Sequence, residues 1–366
     1  GGGVMSIELV WYLSCDGDAA HIGQKFADDP PSFETFSRIA QNAERSGFST
    51  ILSPSHQLSV NYGRQAPAWD ALVNTTAVAT ATKTLKLIMA VRPGLIEPAI
   101  CARMLTSLDH LSGGRLLANI ITGGSPLSMY GEEMDHDARY RRMEEYLQVF
   151  EGLWTQEKFS FEGEFYTLKD ATLYPKPLHN SHIPILIAGS SEIAREISVR
   201  RADYYVFWGE NPDQCSERVQ EMEARLSGTG RRLGYVTRFH IVARETEEEA
   251  FEAAHELVSQ VDPELMTLRE ESASKTESVG TLDQKARANT AVMEPNLWTG
   301  VGKARSGTGV SIVGSYEQCA QKIVEFEQAG INLLIMSGFP LHSECERVGQ
   351  NVIPLVRKME EELGLS

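Results

Sequence analysis

A chain of 366 residues, 42% hydrophobic and 23% charged, has room for one large domain or two ordinary ones and enough apolar side chains for a sizeable core. Its net charge of −16 disfavours nucleic acid and anionic membranes as partners. No apolar run is long enough to cross a bilayer, and five scattered cysteines without metal-type spacing argue for a reducing cytoplasm and against a disulfide framework or a metal centre.

The opening GGGVMSIELV has no basic region and no extended apolar stretch, so it does not read as a signal peptide; Gly1 to Val4 read as an addition ahead of Met5. Strand-like runs then follow at 7–13, 49–53, 85–91, 116–121, 184–188, 204–208, 238–243 and 332–337. Helix-like stretches lie between them, at 32–47, 137–154, 191–202 and 316–330. Ser32 follows two prolines as a start signal, and Gly47 and Gly330 serve as stops. Strands alternating with helices predict an α/β protein with a parallel sheet, and eight strands are the number that closes a (β/α)8 TIM barrel. The alternative is an open doubly wound sheet.

One region breaks the alternation. Between Arg244 and Tyr316 runs a long stretch containing Trp298, Lys303 and Arg305 among Gly300, Gly302, Gly307 and Gly309. The expected organisation is one barrel domain over 5–366 with an insertion at 261–309. That insertion reads as a mobile lid with a cationic tip, or as a plain surface loop.

In a barrel of this kind the chemistry lies beyond the C-terminal ends of the strands. Those addresses hold Ser14, Cys15, Asp16, Asp18 and His21 after the first strand, and His56, Asn61, Tyr62 and Gln65 after the second. Arg92 follows the third, Asn119 and Thr122 the fourth, Trp208 and Glu210 the sixth, and SGFPLHSE the last. After the fifth, Gly189, Ser190 and Ser191 open a helix; this is an anion-binding turn, or a helix cap and nothing more. In TRFHIVARET, Arg238 and His240 are two apart and share one strand face, while Phe239 and Ile241 share the other. With the aromatic face towards the helices, Arg238 and His240 point into the lumen. There they form either a structural ion pair with Asp16 or Glu210, or an anion site with Arg305 and Arg92.

The combination of WYL…DGD, LDHLSGGRLLANIITG, DARYRRMEEY, GSSEIA, WGE, RFHIVARET, NLWTGVG…RSGTG and SGFP…RVG resembles the bacterial luciferase-like flavin monooxygenases, alkanesulfonate monooxygenase group, over almost the whole chain. The resemblance implies a two-component enzyme: FMN arrives reduced, as FMNH2, from an NAD(P)H-dependent flavin reductase. O2 is the cosubstrate, and the C–S bond of an organosulfonate is cleaved to sulfite and an aldehyde. It places Asn119, Thr122, Tyr140, Gly189, Ser190 and Ser191 at the flavin, and Arg238, His240, Trp208 and Arg305 at the reaction.

Departures from the family pattern fall in the pocket. Asp16 stands where the family has histidine, Gln65 or a neighbour stands for its cysteine, Phe339 replaces a tyrosine, and His342 is displaced by one. With Arg92, these residues would line a substrate body rich in hydroxyls, so a sugar sulfonate such as sulfoquinovose is expected. The alternatives are a linear alkanesulfonate, a flavin-dependent oxygenase of a non-sulfonate substrate, or a deazaflavin-dependent reductase. A cytoplasmic homo-oligomer, dimer or tetramer, is expected.

Overall fold

The computed structural model describes residues 6–122, 127–267, 271, 292–305 and 309–365. Eight strands pair in parallel and close on themselves. In order around the ring they are β1 (Glu8–Tyr12), β2 (Thr50–Ser53), β3 (Lys86–Val91), β4 (Leu116–Ile120), β7 (Ile185–Ala188), β8 (Tyr204–Val206), β9 (Gly234–Arg244) and β13 (Leu333–Ser337). Closure is carried by β13 against β1, with Glu8 opposite Leu333, and by β8 against β9, with Tyr204 opposite Gly234. The fold is the (β/α)8 TIM barrel expected from the strand count. Each apolar run becomes a strand because lumen and helix layer bury both faces, which removes the polar alternation of a half-exposed strand.

Helices α1 (Phe33–Arg45), α2 (Ala71–Ala81), α3 (Pro98–Leu111), α4 (His136–Thr155), α5 (Glu192–Arg201), α6 (Pro212–Leu226) and α7 (Glu247–Leu257) pack outside, with three more over Tyr316–Gln328, Leu341–Asn351 and Ile353–Leu363. Their starts follow local chemistry: Ser32, Asp70, Asp135, Ser191 and Thr246 each accept a backbone N–H of the first turn.

Two additions escape the sequence reading. A hairpin of β5 (Phe159–Glu162) and β6 (Thr167–Ala171) lies outside the barrel, tied to α4 by Glu145, whose carboxylate accepts the backbone N–H groups of Glu164, Phe165 and Tyr166. The second is hung on β9. That strand is longer than its neighbours, 11 residues against 3 in β8: residues 234–240 are rungs of the barrel, and 240–244 overhang to pair with β12 (Ser311–Ser315). Beyond β12 lie β11 (Leu297–Trp298) and β10 (Val292–Glu294). Most of the 261–309 insertion, and with it the expected lid movement, lies outside the described residues.

The floor of the barrel carries a carboxyl pair. Glu327 and Glu360 both accept the Ile7 N–H, at 3.0 and 3.1 Å, and Arg357 donates to Glu360 at 2.7 Å. Burial and the adjacent Glu360 push Glu327 up to about 8. A raised acid favours the folded state below its ordinary value, near 4.5, and that contribution is lost as pH climbs towards 8. Glu327→Gln should therefore gain stability over the wild type progressively from pH 5 to pH 9, read as the denaturant midpoint at each pH. A gain that is the same at every pH would contradict the raised value of Glu327.

Candidate active site

The mouth of the barrel is organised around Tyr12, the last residue of β1 and fully buried. The Arg238 guanidinium stacks on its ring at 3.8 Å from the centroid. Arg305 sits at 5.7 Å and its Nη2 reaches the Tyr12 hydroxyl at 3.4 Å. Phe239, the intervening residue on β9, packs on Phe326 of the outer helix layer at 4.5 Å, which confirms the strand's two faces.

Arg238 Nη2 lies 3.5 Å from Ser337 Oγ, and its Nε is buried with no hydrogen-bond partner. Neither Asp16 nor Glu210 forms an ion pair with it. Burial first, then the neighbouring Arg305 charge, pulls the guanidinium down to about 10. Burial does the same to Arg92, also to about 10, while its Nε donates to the Ser55 carbonyl at 2.8 Å. Four cationic or potentially cationic groups thus converge: His56 is pushed well below its ordinary pKa by burial, then by Arg92, Arg305 and Arg238. His240 is buried, with Nδ1 at 2.9 Å from Ser337 Oγ and its ring 6.3 Å from that of Phe339. Trp208 stands half-buried beyond β8.

A second group of expected residues gathers across the mouth, at the ends of β4 and β7. Asn119 Oδ1 and Thr122 Oγ1 are buried without hydrogen-bond partners. Tyr140 on α4 donates to the Ala188 carbonyl at 3.2 Å. Gly189 has φ +148°, and a Cβ there would meet the Tyr140 hydroxyl at 2.2 Å. Ser191 caps α5 with a long 3.4 Å bond to the Ala194 N–H, and Arg195 holds the Ser190 carbonyl at 2.7 and 3.0 Å.

Three residues expected at the substrate have other surroundings in the structure. Asp16 is taken up by its neighbours. One oxygen accepts Ser59 Oγ at 2.7 Å and the N–H groups of Val60 and Asn61 at 3.1 and 3.0 Å; the other accepts Asn61 Nδ2 at 3.0 Å and the Ser14 hydroxyl. A carboxylate so occupied has no lone pair left for a ligand. Gln65 is exposed, because that capture of 59–61 turns residues 64 and 65 outward. His342 is turned to Asp18, with Nδ1 at 2.9 Å from a carboxylate that also accepts the N–H groups of Leu341 and His342. Phe339 lies beside His240, and Arg305 is buried. The sequence reading placed His56 and Asn61 at the mouth without giving them a role and overlooked Tyr12, for which the available signal was its alternation with Val10 at the end of β1.

A model of the luciferase-like monooxygenase family matches residues 8–333. The chain belongs to that family. Among solved structures, the luciferase-like barrel described here is similar to EDTA monooxygenase (EmoA) from Chelativorans sp. BNC1, with TM-score 0.80 and 19% identity over 97% of this chain and 94% of that one. It is also similar to long-chain alkane monooxygenase (LadA), with TM-score 0.79 and 18% identity over 97% and 92%. An F420-dependent secondary alcohol dehydrogenase matches with TM-score 0.68 and 18% identity over 96% and 100%. At such identities the likeness is one of fold.

The depressed His56 sets a pH signature for this luciferase-like site. Its folded value lies below the ordinary 6.5, so it contributes stability above that pH, and the contribution is lost as pH falls through the folded value. In an imidazole NMR titration His56 should stay neutral at pH 6, where exposed histidines are mostly charged. A midpoint at or above 6.5 would show that an anion already compensates the cluster.

Proposed function

We propose that the chain is a reduced-FMN-dependent monooxygenase that converts an organosulfonate and O2 to sulfite and an aldehyde. The observation that carries this reading is the pair of guanidinium groups on Tyr12, with Arg238 left without a carboxylate partner among the described residues. A buried cation in that state needs an anion, and the paired N–H groups of guanidinium match a tetrahedral oxyanion.

The residues across the mouth fit a flavin. Two buried polar atoms without partners, Asn119 Oδ1 and Thr122 Oγ1, lie at the end of β4, and Ser190 and Ser191 place N–H groups at a helix start suited to a phosphate, the Gly189 N–H being taken by the Val206 carbonyl. A reduced flavin held there supplies two electrons; one oxygen atom ends in the aldehyde and the other in water. Ser337 Oγ sits between His240 Nδ1 and Arg238 Nη2, so it couples the imidazole's tautomer to the guanidinium that holds the sulfonate. His240 is the residue assigned to proton movement at this site. An NAD(P)H-dependent reductase would supply the flavin, which would bind more tightly reduced than oxidised.

Support for the sugar body falls away with Asp16 and Gln65, since neither presents a free polar group to the lumen. The reading therefore rests on the sulfonate head, with an alkyl or a sugar body left open to assay. A carboxylate head is the competing reading, since the same guanidinium pair would hold it and one structural neighbour is an EDTA monooxygenase.

With reduced FMN and O2, the chain should release sulfite from at least one of methanesulfonate, octanesulfonate and sulfoquinovose. Arg238→Ala should lower that rate by ~100-fold or more, the loss of two charge-assisted hydrogen bonds. Oxygen consumed with an aminopolycarboxylate, and no sulfite from any sulfonate, would move the assignment to the carboxylate head.

A further inference from the structure

Arg195, the fourth residue of α5, has no part in the reaction as proposed, yet its guanidinium is closely engaged. Nε and Nη2 both donate to the Ser190 carbonyl, at 3.0 and 2.7 Å, and Nη1 donates to Glu221 of α6 at 2.8 Å. The side chain reaches back over the start of its own helix, the direction in which helical side chains lean. The helix itself does not need that contact. Ser191 is its N-cap, in extended backbone at φ −70° and ψ 160°, and the Arg195 N–H already closes the first turn on the Ser191 carbonyl at 3.1 Å.

The consequence lies on the other side of the peptide. The Ser190–Ser191 bond is trans, the cis bonds among the described residues being Tyr174–Pro175 and Phe339–Pro340. In a trans peptide the carbonyl and the next N–H point in opposite directions within one plane. With the Ser190 oxygen drawn to Arg195, the Ser191 N–H is turned away from the guanidinium, and no acceptor among the described residues takes it. The surroundings are short of bonds as well. Ser191 Oγ makes only its long 3.4 Å cap. Thr122 Oγ1 is 7% exposed and has no partner, and Thr122 and Ser191 both border the Tyr140 hydroxyl.

We propose that Arg195 is a positioning residue for the cofactor's phosphate, acting through the Ser190–Ser191 peptide to present the Ser191 N–H to it. This rests on the reading that the mouth binds FMN. Left unheld, the peptide plane could turn and set its oxygen against the phosphate. The cation on the carbonyl also polarises the peptide, which makes the N–H on the far side a stronger donor. Glu221 balances the guanidinium charge from behind, so the contribution of Arg195 is direction rather than a second cation at the phosphate.

The test separates the phosphate from the rest of the flavin. Reduced FMN and reduced riboflavin are titrated anaerobically into the full chain and followed by tryptophan fluorescence; inorganic phosphate is titrated calorimetrically. The variants are Arg195→Met and Glu221→Gln, each checked for an intact thermal transition. Arg195→Met should raise the Kd for FMN by about tenfold, the weakening of one hydrogen bond to a charged group, and that for riboflavin by less than about twofold. Glu221→Gln, which leaves the fork on Ser190 in place, should change neither by more than about twofold. Should Arg195→Met not fold, Arg195→Gln is read by the same ratio. Equal losses for both flavins would reduce Arg195 to a structural clamp and overturn the proposal, as would no loss for FMN. A loss in Glu221→Gln matching that in Arg195→Met would assign the effect to the bridge between α5 and α6 and overturn it too. If the wild type binds both flavins equally, the flavin reading stands and the positioning role falls. If it binds neither flavin but binds phosphate, and Arg195→Met weakens that, the positioning role stands and the FMN reading fails. If it binds none of the three, both fall.

Discussion

Everything at the mouth of this barrel answers to one constraint: cationic side chains gathered where water is scarce. Arg238 and Arg305 share the Tyr12 ring, and Arg92 and His56 stand close enough to feel them. Like charges in a poorly solvated space repel strongly; the depressed values of Arg238 and His56 record the loss of water and then that repulsion, and that of Arg92 the loss of water. The fold tolerates the cluster because aromatic faces, amides and hydroxyls supply polarity without cancelling charge. Tyr12 offers a π face, Asn61 an amide oxygen and Ser337 a hydroxyl.

Two acids next to the cluster, Asp16 and Asp18, are used elsewhere. Asp16 fastens the loop after β2, and Asp18 fastens the loop after β13 through Leu341 and His342. Both loops are thereby fixed against the end of β1, so the short segment from Ser14 to Asp18 is a common anchor for the chain's first and last strands. A net charge of −16 thus surrounds a mouth that is locally positive.

How much of this was legible in the sequence depends on the range of the interaction. The eight barrel strands could be read because a strand buried on both faces must be apolar throughout, and that is a local property. Arg238 and His240 could be placed on the lumen because alternation along one strand fixes a face. The hairpin at Phe159–Ala171 was hidden: its exposed strands alternate weakly, and what holds it is Glu145, distant in sequence. Asp16 was read as a pocket residue because its type was visible and its partners were not. Three of its five hydrogen bonds go to the main chain or hydroxyl of residues more than forty positions away, whose approach is decided by loop closure rather than by any local pattern. Gln65 failed for the same reason in reverse, since the capture of 59–61 is what turns it outward.

The long strand β9 gives the molecule a seam. Its inner half closes the ring, its outer half holds β12, and His240 is the rung shared by both, opposite Ser337 on one side and Ser311 on the other. Among the described residues of 245–315, none pairs with a barrel strand except through that overhang. The appended sheet joins the barrel sheet through that overhang, while Leu257, Asp262 and Arg305 of the same segment bond to Ile22, Gly23, Asn61 and Tyr12 at the mouth. Two ligation points, after Arg244 and at Ser315, would let it be exchanged as a cassette between barrels of this kind without disturbing ring closure. Evolution can vary one wall of the pocket through that cassette, Arg305 included, while β9 keeps Arg238 and the ends of β2 and β3 keep His56 and Arg92.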